Sequence, residues 1–173
     1  MPTTSVALLP GVPALLPEHA SLSDPVADLR AACRTAVGRI AGPGSAVRVV
    51  AGLQGLRVAE HLLEEVAARA TGDPSYDAVL VVGNGSARRT EKAPGHLDDR
   101  AAAFDEALDR ALRETDRAAL RGVDRVLAGA LLAEVDGFPD LADLVPQGAV
   151  ADVLYADDPF GVQYWVAVWD LVR

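Results

Sequence analysis

Residues Asp77–Asp98 read DAVLVVGNGSARRTEKAPGHLD, and the rest of the chain is organised around them. Val79, Leu80, Val81 and Val82 form an unbroken apolar run, the pattern of a strand covered on both faces. The run stops at Gly83-Asn84-Gly85, where positive backbone dihedrals cost little. Ser86, Arg88, Arg89, Thr90, Glu91 and Lys92 follow, polar and basic in an acidic chain, and Pro94-Gly95 turns the backbone again before Asp98, which reads as a helix cap. A loop leaving the carboxyl end of a buried strand is where open α/β sheets place their sites.

Upstream, Ser5–Leu9 reads as a short buried strand ended by Pro10-Gly11-Val12-Pro13. Asp24-Pro25 is a helix start, and Val26, Leu29, Cys33, Val37 and Ile40 then recur at helical spacing. Cys33 on that stripe reads as a small buried hydrophobe rather than a nucleophile. Val47–Leu53 is a second strand with a turn at Gln54-Gly55, and the next helix buries Ala59, Leu62, Leu63, Val66, Ala67 and Ala70. His61 falls on its polar face.

Downstream, Ala101, Phe104, Leu108, Ala111 and Leu112 mark another amphipathic helix, and Asp116 and Asp124 read as caps of shorter ones, the second carrying its apolar spacing on Val126, Leu127, Leu131 and Val135. Phe138-Pro139 breaks the chain, and Asp140–Val145 adds a further helical turn. Val150–Tyr155 and Val162–Trp169 read as a terminal β-hairpin that holds five of the eight aromatic residues. Both faces of its last strand are apolar, which leaves two readings. Either the strand is buried twice, or Trp165 and Trp169 cover a partner subunit in a homodimer. Strands alternating with helices and closing in a hairpin predict a single three-layer α/β/α domain over residues 1–173, with a mostly parallel mixed sheet and an antiparallel edge.

The totals narrow the function. A length of 173 residues fits one domain, and a hydrophobic content of 50% supplies a core. A net charge of −9 argues against general nucleic-acid binding, which requires neutralising phosphates. One cysteine allows no intramolecular disulfide and no zinc framework. The amino-terminal stretch reads as neither a signal peptide nor a membrane span, so a cytoplasmic protein without membrane association is the expectation.

The loop GNGSARRTEK lacks the Walker ending and the third glycine of a dinucleotide fingerprint. It does offer Asn84, Gly85, Ser86, Arg88, Arg89, Thr90 and Lys92, which are the parts of a site for an anionic small molecule. The competing reading, a structural loop whose Arg88 or Arg89 pairs with acidic neighbours, weighs somewhat more. No nucleophile elbow is present. The three histidines, His19, His61 and His96, show no metal-ligand spacing. His19 and His96 each follow a strand-exit turn and are the weak candidates for a metal. No cofactor is expected.

LVVGNGSARRTEKAPGHLDDRAAAFD closely resembles a segment of actinobacterial proteins of the LigB-like family, which is related to the class III extradiol ring-cleavage dioxygenases. LLPGVPALLPE resembles that family's first strand and loop, and VLYADDPFGVQYWVAVW its carboxyl-terminal strands. The resemblance implies a three-layer fold. In catalytic members it implies iron at the carboxyl ends of strands, held by two His and one Glu, with a further histidine as acid/base. The position matching the first iron histidine is Gly11, and the sequence offers no identifiable glutamate ligand. The expectation is therefore a LigB-like protein without ring-cleavage activity that keeps an anion pocket between Gly11 and the Asn84–Lys92 loop. The alternatives are an iron-dependent dioxygenase-like enzyme with an atypical site at His19 and His96, and an interaction module using the aromatic last strand.

Overall fold

The computed structural model describes residues 5–171. Ser5–Leu9 (β1), Ala46–Val50 (β2), Arg69–Thr71 (β3), Ala78–Val82 (β4), Asp152–Asp157 (β5) and Tyr164–Asp170 (β6) form one six-stranded sheet in the order β3-β2-β4-β1-β6-β5. β4 lies in the middle, parallel to β1 (Val6 opposite Val79 through Leu9 opposite Val82) and to β2 (Val47 opposite Ala78 through Val50 opposite Val81). β6 runs antiparallel to β1 and carries β5 as its hairpin partner. The chain is an α/β protein with a mixed, mostly parallel sheet, as the alternation of strand and helix patterns predicts.

The unbroken apolar runs are explained by layers on both sides. Ala27–Ile40 (α1) and Leu53–Glu64 (α2) cover one face, where Ala7, Leu9, Leu80 and Val82 point. Ala101–Glu114 (α3), Arg117–Arg121 (α4), Arg125–Ala130 (α5) and Phe138–Leu144 (α6) cover the other, where Val6, Leu8, Val79 and Val81 point. Asp24 accepts from the Val26 N–H ahead of α1, and Asp116 and Asp124 cap α4 and α5 through the Ala119 and Leu127 amides. Phe138-Pro139 does not end an element; it opens α6, where proline fits the first turn. Cys33 is fully buried, and desolvation pushes its thiol up to about 12, which makes it a packing residue.

Three expectations are corrected. The helix buried through Ala70 is shorter: α2 ends at Glu64, and Ala70 lies in the edge strand β3. Gln54-Gly55 is not a turn but the first turn of α2. Trp165 and Trp169 do not face a partner subunit, because each is 1% exposed and packs inside the α3–α6 layer. Their indole N–H groups are satisfied by Asp109 and by Thr115 Oγ1. Tyr164, Val166 and Val168 fill the opposite core, so β6 is buried twice. Among the described residues no helix is long and apolar enough to cross a membrane.

Candidate functional site

β1 and β2 both feed helices on one face of the sheet, whereas the chain leaving β4 crosses to the other face. Loops that part in this way open a crevice at the carboxyl ends of the strands. A pocket of about 310 Å³ lies there, lined by Gly11 after β1, Gly52, Gln54 and Gly55 at the start of α2, Asn84 after β4, and Glu134. That volume is at the small end for ligand pockets, which run from about 300 to 1,000 Å³.

Glu134 arrives from the far layer by a specific route. α5 ends where Leu132 takes a left-handed conformation (φ 56°), and the Ala133 amide returns to the Ala128 carbonyl. The chain then runs extended, and Asn84 and Glu134 exchange both backbone hydrogen bonds at 3.0 Å. The Glu134 carboxylate consequently approaches Gly52: its Oε1 stands 4.0 Å from where a Cβ on Gly52 would lie. Burial, and then the charge of Asp136, push the Glu134 carboxyl above its ordinary value. Gln54 donates from its amide nitrogen to the Gly11 carbonyl at 3.0 Å, tying the β1 loop to α2.

The floor depends on two glycines. A Cβ on Gly55 would meet Val82 Cγ1 at 2.7 Å, and one on Gly11 would meet Val82 Cγ1 at 3.0 Å and the Gly55 Cα at 3.1 Å. The β1 loop and α2 are therefore closely packed, and a side chain at position 11 would be tight against Val82 and the Gly55 backbone.

The predicted anion-site residues do not converge on this crevice. Gly11 and Asn84 line it together, as the shared strand ends require. Gly85 is packed against Asp105, Gln163 and Trp165. Ser86 is fully buried, and both its hydroxyl (2.6 Å) and its N–H (2.8 Å) donate to the Asp105 carboxylate, itself 2% exposed. Arg89 pairs with Asp105 at 3.1 Å and with Asp158 at 2.6 Å. Arg88 donates to the Ala130 carbonyl at 3.0 Å. Thr90 and Lys92 are exposed and line a separate surface pocket with Pro159 and Phe160. The two arginines thus fasten the loop to α3, to the β5–β6 turn and to the end of α5.

The histidines do not converge either. His19 lies in another pocket of about 340 Å³ with His61, Arg34 and Glu65, whereas His96 is exposed with Nδ1 3.3 Å from the Glu91 carbonyl oxygen. The proposed His19–His96 pairing is therefore not formed. Among the described residues no group of three or more His, Cys, Asp or Glu is arranged to hold a metal ion. Gln54 and Glu134 went unrecognised in the sequence. Gln54-Gly55 reads as a turn in the sequence, and Glu134 follows a helix end marked by leucine where glycine or asparagine would signal it. No protein-family model matches the chain, and no curated protein matches it.

Proposed function

We propose that this chain is a LigB-like α/β protein that binds a small polar molecule in the crevice between Gly11, α2 and Glu134, and that it does not cleave catechol rings. The observation that carries this reading is the donor set. Extradiol chemistry needs a metal with open positions, held by two imidazoles and a carboxylate. The crevice supplies one carboxylate and no imidazole, and the β1 loop brings to it Gly11, which has no side chain to ligate a metal. The residues present do not fit the iron of the catalytic relatives that the sequence resembles.

Binding is supported by where the polar groups stand. Glu134 is an exposed residue held by backbone bonds at the mouth of a crevice, with no cationic partner among the described residues. Its carboxyl, raised above the ordinary value and standing at a crevice mouth, makes it a candidate site residue. The test has two arms. Anaerobic reconstitution with ferrous iron, followed by protocatechuate and simple catechols, should give no stoichiometric iron retention and no yellow ring-opened product. Amide NMR of the full chain titrated with a fragment library should give saturable shifts at Gly52, Gly55 and Asn84. Ring-opened product in the first arm, or a silent crevice in the second, refutes the proposal.

A further inference from the structure

We infer that the crevice selects a ligand with a positively charged, hydrogen-bond-donating head, an ammonium or guanidinium group, on a short apolar stem. This rests on the crevice being the binding site. The reasoning begins with what each polar side chain has left to offer. The amide nitrogen of Gln54 is used on the Gly11 carbonyl and that of Asn84 on the Gly85 carbonyl, each at 3.0 Å. Among the described residues no donor reaches either amide oxygen. The Glu134 carboxylate likewise makes no ion pair among them. Each amide therefore keeps its oxygen and one N–H, and Glu134 keeps its carboxylate, so acceptors outnumber donors in the crevice.

No Lys, Arg or His lines the crevice. The nearby arginines are committed elsewhere, Arg89 to Asp105 and Asp158 and Arg88 to the Ala130 carbonyl. Asp136 adds negative potential at Glu134. The start of α2 works in the opposite sense, because a helix N-terminus carries roughly half a positive charge. Glu134 brings a full negative charge to the same place, so an anion gains less than it loses. Leu53, also in the lining, is 84% exposed and offers apolar surface at the rim for a hydrocarbon stem.

The experiment titrates the isotopically labelled full chain with n-butylamine, n-butylguanidine, n-butanol, butyrate and inorganic phosphate, reading amide NMR shifts. The two cations are expected to shift Gly52, Gly55 and Asn84 saturably, butanol more weakly, and butyrate and phosphate not at all. Glu134→Gln should weaken binding of the cations about ten- to hundred-fold, the range for a hydrogen bond to a charged group. Its unchanged spectrum elsewhere would show that the fold is intact. Butyrate or phosphate shifting the crevice while the amines are silent would overturn the ligand class and leave the crevice standing as a site. Amines that bind wild type and Glu134→Gln equally, or that shift only scattered acidic surface residues, would also overturn it. A crevice silent to all five probes and to the fragment library would overturn the site itself.

Discussion

Arg89→Ala separates a loop built for binding from a loop built for support. A solvent-exposed arginine kept for a ligand contributes about 0–1 kcal/mol to folding. Arg89 is different because its partner Asp105 has a side chain only 2% exposed. Breaking a buried ion pair from one side costs about 3–5 kcal/mol, since the remaining charge is stranded. Two features reduce that figure here. Asp105 keeps both hydrogen bonds from Ser86, and the Arg89 side chain is itself 23% exposed. The second partner, Asp158, is 33% exposed and adds little. The expected loss is about 2–3 kcal/mol, intermediate between the surface and buried limits.

The assay is urea unfolding at neutral pH, comparing midpoints at constant m-value. In a chain of this size the same loss lowers Tm by about 4–12 °C. Arg89→Lys should fall between wild type and Arg89→Ala, because it restores charge without the two-pronged geometry. An Arg89→Ala variant within about 0.5 kcal/mol of wild type, the range of an ordinary surface substitution, would refute the supporting role.

Gly85→Ala should destabilise by about 1–3 kcal/mol through overpacking, because its Cβ would lie 2.5 Å from Asp105 Oδ1 and 2.7 Å from Gln163 Cβ. Gly38→Ala, inside α1 with nothing within 4 Å, should instead stabilise by about 0.5–1 kcal/mol in the same urea assay. Thr115→Val should cost about 2–4 kcal/mol by unpairing the Trp169 indole N–H and the Ala149 carbonyl in the core, read by tryptophan fluorescence during unfolding. Glu134→Gln should be more stable than wild type at neutral pH, because folding raises this carboxyl above its ordinary value of 4.5 and so disfavours its ionised form. That advantage should shrink as pH falls through the raised value and vanish below 4.5; an advantage unchanged down to low pH would contradict burial as its cause.

The strands and layers were legible because they depend on local pattern. Val79–Val82 reads as doubly covered, and it is. The Asp116 and Asp124 caps follow from side-chain chemistry within three residues. The boundaries that failed share one cause. α2 gives way at Ala67 (φ 55°) and α5 at Leu132 (φ 56°), both left-handed without glycine or asparagine. With no local stop signal, the helical pattern reads straight through, which hides β3 in one case and the extended stretch carrying Glu134 in the other. Tertiary bonds supply what the sequence lacks: the Asn84–Glu134 bridge and the pairing of Val47 with Ala70.

The basic loop was conspicuous for the same reason that its partners were not. Arg88, Arg89 and Lys92 stand within five residues of one another, whereas Asp105 and Asp158 lie 16 and 69 residues from Arg89. Local sequence shows a cluster of cations and conceals the carboxylates that neutralise it. The crevice reverses this relation. Its members come from four separate segments and look unremarkable singly: two closely packed glycines, two amides each with one N–H already bonded, and one carboxylate without a cation among the described residues. The glycine contact also bears on the proposal that the crevice holds no iron. A histidine Cβ at position 11 would be tight against Val82 Cγ1 at 3.0 Å and the Gly55 Cα at 3.1 Å. On the reading proposed above, the polar groups of the crevice, with more acceptors than donors, suit a ligand that brings its own protons.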